Sequence, residues 1–151
     1  MKFTFKKSER LNSKKVIEQL FDKKGREANQ SVFLYPFRVS YMKEVVSHKL
    51  QAVSEGENET KAQQLTTYDL PLTTHFPQIL ISVSKRSFKR AVDRNLIKRR
   101  IREAYRLNKH LLLQKPEAQI PAYIAFVYIA KTIEEYAKIE KSMKTVFQKM
   151  V

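Results

Sequence analysis

Residues 81–113, ISVSKRSFKRAVDRNLIKRRIREAYRLNKHLLL, run a strand into a long, densely cationic helix. The strand opens at QILISVS over 78–84, and Ser87 is placed to cap a helix that continues to about Leu113. On a 100° wheel Ile97, Ile101, Ala104, Tyr105, Leu111 and Leu112 fall along one side. Asn95, Lys98, Arg99, Arg102, Arg106 and Lys109 gather on the other. One side is built to pack and the other to bind. Arg94 and Arg100 flank the apolar stripe, while Lys85, Arg86, Lys89 and Arg90 crowd the strand end and the first helical turn.

Between Lys85 and Lys109 there are eleven cations against Asp93 and Glu103, so this stretch carries +9 of the chain's formal +15. A block of charge raises the local potential and captures counter-charge, which the same charge spread evenly would not do. The arrangement is poor for helix stability alone: cations at a helix N-terminus oppose the macrodipole, and like-charge pairs such as Arg94 with Lys98 cost roughly 0.2–0.5 kcal/mol each. A charge run is commonly just a solvated face, but the scarcity of carboxylates here argues for a bound polyanion. Arginine offers paired donors to phosphate oxygens and lysine a mobile point charge, so nucleic acid is the partner this chemistry fits.

Outside that segment, Ser13 can cap a short helix with Val16, Ile17, Leu20 and Phe21 on one stripe, and Gly25 can end it. SVFLYPFRVSY over 31–41 reads as a strand, with Pro36 placing it at an edge or in a bulge. The stretch 42–76, with SEGENETKAQQ at its middle, has no caps or lasting periodicity. It reads as an insertion between two strands that either extends them or stays disordered. AYIAFVYIA over 122–130 is a nearly continuous apolar run, which suits a central strand covered on more than one face. Thr132 and Glu135 form a capping-box pattern for a last helix in which Tyr136, Ile139, Met143, Val146, Phe147 and Met150 repeat at helical spacing. The expected order is helix, strand, long loop, strand, helix, strand, helix, an α/β or α+β sandwich in a single domain over 1–151.

The same sequence excludes several classes. There is no cysteine, so neither a disulfide framework nor a thiolate metal site is available. His48, His75 and His110 are isolated, no carboxylate cluster resembles a two-metal site, and neither a phosphate-binding G-x-x-x-x-G-K-[ST] loop nor a G-x-S-x-G elbow occurs. No catalytic residue and no metal ligand is therefore assigned. No run of 18 apolar residues exists and MKFTFKKSER lacks the apolar stretch of a signal peptide, so the expectation is a soluble, cytoplasmic protein with no membrane partner.

The motif order SVSKR followed by RAVDRNLIKRRIREAYR resembles the signature of the bacterial ribonuclease P protein subunit, whose helix carries R-N-R and then I-K-R. Arg10-Leu11, Leu20-Phe21 and Phe33-Leu34-Tyr35 extend the likeness outside the helix. The third residue of the R-N-R is Leu96 here, a glycine common before the S-V-S-K strand is replaced within Ile79-Leu80-Ile81, and an aromatic before the L-F pair is Ile17. The resemblance implies an α+β fold with a small mixed sheet, like a ribosomal protein domain, containing a left-handed β-α-β crossover. It further implies an accessory subunit that binds a catalytic RNA and the 5′ leader of precursor tRNA, with Mg²⁺ held by the RNA. Carried over, Lys85, Arg86, Lys89, Arg90, Arg94, Asn95, Lys98, Arg99, Arg102 and Arg106 would contact RNA, and Phe21 and Tyr35 would line the leader cleft. Core packing is the competing reading for Phe21 and Tyr35.

Three other functional readings compete. A ribosomal or other structural RNA-binding protein matches the charge and size but not the motif order. A helix-turn-helix DNA reader requires a helix where ILISVS stands. A self-sufficient nuclease would need catalytic groups that the sequence does not supply.

Overall fold

The computed structural model describes residues 3–22, 29–42, 76–114 and 120–150. After a 3₁₀ turn at Lys7–Glu9 come helix α1 (Lys14–Phe21), strands β1 (Asn29–Leu34), β2 (Phe37–Met42) and β3 (Gln78–Val83), and helix α2 (Ala91–Asn108). The short helix α3 (His110–Leu113), strand β4 (Tyr123–Tyr128) and helix α4 (Tyr136–Lys149) follow. The strands form one mixed sheet in the order β1-β2-β4-β3, with β2 antiparallel to both neighbours and β3 parallel to β4 across the α2 crossover. This is the expected α+β architecture. Among the described residues no helix is long and apolar enough to cross a membrane.

Alternation along the strands sorts the sheet into two faces. Phe37, Val39 and Tyr41 of β2, Ile79 of β3, and Ile124, Phe126 and Tyr128 of β4 point to the face where α2 and α4 pack. Phe126 is the hub there, edge-on to Phe37, Tyr105 and Phe147 at centroid distances of 6.1, 6.4 and 6.4 Å. Such aromatic pairs add about 0.5–1.5 kcal/mol each beyond the area they bury. The apolar stripe of α2 is Ile97, Ile101, Ala104 and Tyr105, and that of α4 is Ile139, Met143, Val146 and Phe147, continued by the cap residue Met150, all buried. On the opposite face α1 covers only part of the sheet, with Leu11 and Leu20 meeting Ala125.

Several local expectations are corrected. The single strand over 31–41 is a hairpin: pairing stops at Tyr35-Pro36, joined by a cis peptide bond, and β2 folds back on β1 with Leu34 opposite Phe37. Pro36 has no N–H to give the ladder, which suits a turn better than a strand interior. The element order therefore holds one strand more than the sequence suggested. Helix α2 begins at Ala91, with Arg90 rather than Ser87 as its cap residue. The delay lets Phe88 turn inward, where it is buried and lies 5.9 Å from Tyr128. The Thr132–Glu135 capping box does not form, and Glu135 caps α4 without a side-chain bond. Tyr128 holds this loop instead: its hydroxyl donates to the Thr132 carbonyl and accepts from the Glu134 N–H. Helix α1 ends at Phe21 with Asp22 as cap, and Gly25 lies outside the described residues, as does the 42–76 insertion from 43 to 75.

Lys109 departs most from the wheel, which set it among the outward cations. Its side chain and that of Glu9 are 2% and 4% exposed. The Nζ donates to both Glu9 carboxylate oxygens, at 2.7 and 2.9 Å, and to the Thr4 carbonyl at 2.7 Å. Lys109, between α2 and α3, keeps helical backbone geometry, and its long side chain reaches under the N-terminal segment. Removing one partner of a buried pair strands the other charge, at a cost of about 3–5 kcal/mol. Glu9→Gln should therefore lower unfolding free energy in urea by about that amount, whereas the apolar pair Glu9→Leu with Lys109→Met should recover most of it. An unchanged urea midpoint for Glu9→Gln would show that the pair is not formed in solution.

Candidate nucleic-acid interface

The strand–loop–helix unit delivers its cations by two routes. Because Phe88 anchors the 84–90 loop inward, Lys85, Arg86, Lys89 and Arg90 on either side of it are left exposed. Beyond the loop, the helical period turns Asn95, Leu96 and Arg99 to solvent and leaves Lys98 and Arg102 half-buried, one turn apart. Among the described residues none of Lys85, Arg86, Lys89, Arg90, Lys98, Arg99 or Arg102 forms an ion pair.

Other cations of the segment are engaged within the protein. Arg94 Nη1 donates to the carbonyls of Phe88 and Lys89, both at 2.7 Å, tying the loop to the first turn of α2. Arg100 Nη1 donates to the Glu134 carbonyl at 2.6 Å. Arg106 holds Glu103 through Nε and Nη2 and donates from Nη1 to the Phe3 carbonyl. The Arg106 guanidinium in turn holds the Glu103 carboxyl below its ordinary range. Arg94 and Arg106 thus position protein groups, whatever further contacts they make.

Phe21 and Tyr35 are not brought together. Phe21, 44% exposed, lines a groove of about 680 Å³ between the end of α1 and the sheet, with Ser31, Arg38 and Ser40 on its far wall. Register places Phe33, Arg38, Val127 and Ser82 in one row across that face. Phe33 is 71% exposed, the most open large apolar side chain among the described residues. An exposed ring beside an arginine suits an unpaired base and its phosphate, with stacking worth about 1–3 kcal/mol per base. Sequence reasoning missed Arg38 and used Phe33 only as a marker. Reading Pro36 as a hairpin turn would have paired them.

Tyr35 sits at the hairpin turn, outside that groove. Its hydroxyl donates to the Glu134 carboxylate, and its ring faces Lys138 Nζ at 4.7 Å. Among the described residues no three metal-capable side chains converge.

Comparison with known proteins adds to this geometry. Residues 5–151 match the family model described as Ribonuclease P. Over 72 residues the chain is 47% identical to the ribonuclease P protein component of Porphyromonas gingivalis in each of two strains, covering 46% of this chain and 51% of that protein. Over 85 residues it is 39% identical to the ribonuclease P protein component of Idiomarina loihiensis, covering 56% and 61%. The chain spans about half the length of the first of these curated relatives.

The Tyr35 latch has a measurable signature. Bonds from Lys138 first, then Tyr35, draw the Glu134 carboxyl from its ordinary 4.5 down to about 2. A depressed folded-state value means the contribution is present above the unfolded value and is lost as pH falls toward the folded one. Carboxyl ¹³C NMR should accordingly find Glu134 titrating near 2, and Tyr35→Phe should move that midpoint upward. A midpoint at the ordinary value in the unmodified protein would show the latch open in solution.

Proposed function

The chain belongs to the ribonuclease P protein family, and from that premise we propose that it is the protein subunit of a ribonucleoprotein endoribonuclease that removes 5′ leaders from precursor tRNA. It binds the catalytic RNA and the single-stranded leader, and it acts in the cytoplasm. Mg²⁺ would be held by the RNA and would supply charge neutralisation there, and no residue of this chain is assigned to it. The carrying observation is the set of outward cations from Lys85 to Arg102 that lack carboxylate partners among the described residues. Lys85, Arg86, Lys89, Arg90, Asn95, Lys98, Arg99 and Arg102 are assigned to RNA contact. Arg94 and Arg106 are assigned to holding that surface in shape, with any RNA contact secondary. Phe21, joined by Phe33 and Arg38, is assigned to the leader groove, whereas Tyr35 serves the latch. A structural RNA-binding protein with no role in cleavage would share the charge, but the family match disfavours it.

Adding the protein to its cognate catalytic RNA and precursor tRNA at low Mg²⁺ should accelerate leader removal over the RNA alone. No acceleration would sink the assignment. With about 6–10 phosphate contacts, affinity for the catalytic RNA should fall by roughly 10³–10⁵ between about 50 and 200 mM salt. Position 96 provides a gain-of-function check. Leu96 is 37% exposed beside Asn95 and carries no charge, so Leu96→Arg should tighten RNA binding and steepen the salt slope by about one, while Arg99→Ala should flatten it by about one. Slopes unchanged by both variants would place the RNA elsewhere.

A further inference from the structure

We propose that Glu134 is a positioning residue for leader binding: through Tyr35 it fixes the β1–β2 hairpin, and with it the Phe33–Arg38 pair, against α2 and α4. This role rests on the leader reading above. Its physical basis begins at the rim of the sheet. Among the described residues β1 is an end strand, paired with β2 alone. Elements with few partners are the first to open locally. Phe33 lies opposite Arg38, and only the pair Leu34 with Phe37 separates them from the Tyr35-Pro36 turn. Both side chains are exposed, so packing holds neither in place. Their mutual placement therefore depends on how firmly the turn is anchored.

Glu134 supplies the anchor. Its carboxylate accepts from the Tyr35 hydroxyl, from Thr132 Oγ1 at 3.0 Å and from Lys138 Nζ at 2.8 Å. Lys138 Nζ also lies 4.7 Å from the centre of the Tyr35 ring, so the carboxylate grips the ring at its hydroxyl while the ammonium holds its face. The main chain of Glu134 is tied from two further elements. Its N–H donates to the Tyr128 hydroxyl of β4 at 3.0 Å, and its carbonyl accepts from Arg100 Nη1 of α2 at 2.6 Å. Hairpin, β4, α2 and α4 thus meet at one residue. Ser142 Oγ gives the turn a second hold by donating to the Tyr35 carbonyl at 2.9 Å, but that bond reaches α4 alone.

Stability alone does not account for so many ties at this place. Tyr35 and the Lys138 side chain are both about half exposed, and ion pairs so placed add little to global stability. What the cluster fixes is geometry. Arg100 is the neighbour of Arg99, which is assigned to RNA, so the residue that holds the hairpin turn is bonded to the helix that meets the catalytic RNA. A leader stacked on Phe33 and an RNA bound along α2 are thereby referred to one point. Precision of this kind matters in a two-part site, since misplacing a bound group by about 1 Å costs on the order of 10²-fold.

The test uses the full chain assembled with its catalytic RNA and measures affinity for precursor tRNA with a short unpaired leader, divided by affinity for the same tRNA without one. Tyr35→Phe, which removes only the hydroxyl, and Glu134→Ala should each lower that ratio by about fivefold, part of the worth of one stacked base. The double variant should lower it no further, because both changes break one link. Glu134→Gln keeps an oxygen that accepts from Tyr35 and should lose less than Glu134→Ala. Affinity for the leaderless tRNA and for the catalytic RNA should stay unchanged, with thermal unfolding confirming that each variant folds. A ratio unchanged in both single variants would overturn the positioning role. So would an equal fall for both tRNAs, the mark of a merely structural residue, or losses that add in the double variant. The unmodified protein separates this role from the leader reading beneath it: a leader-dependent ratio there that the variants leave intact condemns the positioning role alone, whereas no leader dependence there condemns the reading and the role together.

Discussion

A single ion pair with almost no access to solvent, Glu9 with Lys109, decides where residues 3–11 run. Lys109 ends the cationic helix, and by turning inward it fastens Thr4 and Glu9 across the close of α2. That fixes Phe5 against Tyr105 and Arg10 beside Ile79. A pair of this kind is weak evidence for net stability, since desolvating both charges offsets much of their attraction. Its consequence lies in placement: Thr4 and Glu9 satisfy the buried ammonium along the path the N-terminal segment takes. The Phe76 ring, 4.0 Å from Lys109 Nζ, closes the site on another side. Burial, reinforced by the Glu9 charge, pushes the Tyr105 hydroxyl well above its ordinary range, so it stays a neutral donor to the Pro77 carbonyl.

The basic segment is therefore two populations in one sequence. Arg94, Arg100, Arg106 and Lys109 reach carbonyls or carboxylates of the protein. They hold the 84–90 loop, the approach to α4 and the N-terminal segment around a single helix. Guanidinium suits this because it can satisfy two carbonyl oxygens in one plane, as Arg94 does for Phe88 and Lys89. The remaining cations stand outward on a scaffold that their own kind has made rigid. A surface so rich in cations must keep its shape while its charges repel, and internal arginines supply that without adding acids that would compete for the outer ones.

What the sequence disclosed follows from how local each signal was. The apolar stripes of α2 and α4 rest on periodicity and the central position of β4 on an unbroken apolar run, and all three were legible. The hairpin at Pro36 was not, because SVFLYPFRVSY carries strand-forming residues on both sides of the break and lacks the Asn-Gly or Asp-Gly pair that marks a tight turn. Ser87 and Thr132 had the chemistry of caps but lost to tertiary demands, the burial of Phe88 in one case and the Tyr128 hydroxyl in the other. Lys109 was misplaced because its partner lies 100 residues away, and nothing in a helical wheel can report that. The candidate site shows the same division. Exposed Arg99 and Asn95 came from the wheel, whereas Phe33 and Arg38 needed cross-strand register.

The sheet explains why, among the described residues, so basic a chain can leave one of its faces incompletely covered. On one side α2 and α4 bury a continuous aromatic and aliphatic layer centred on Phe126, with each large side chain contributing about 1.5–3 kcal/mol. That margin exceeds the few tenths of a kcal/mol lost at each like-charge pair along α2. On the other side α1 covers only the end of the sheet near Ala125, and the Phe33–Arg38 row stays open. Extending α1 over that row would bury Arg38 without a partner, at greater cost than the apolar area of Phe33 could return. The open face is thus the lower-energy arrangement for this sequence in isolation. A ligand able to stack on Phe33 while presenting an anion to Arg38 removes both penalties together.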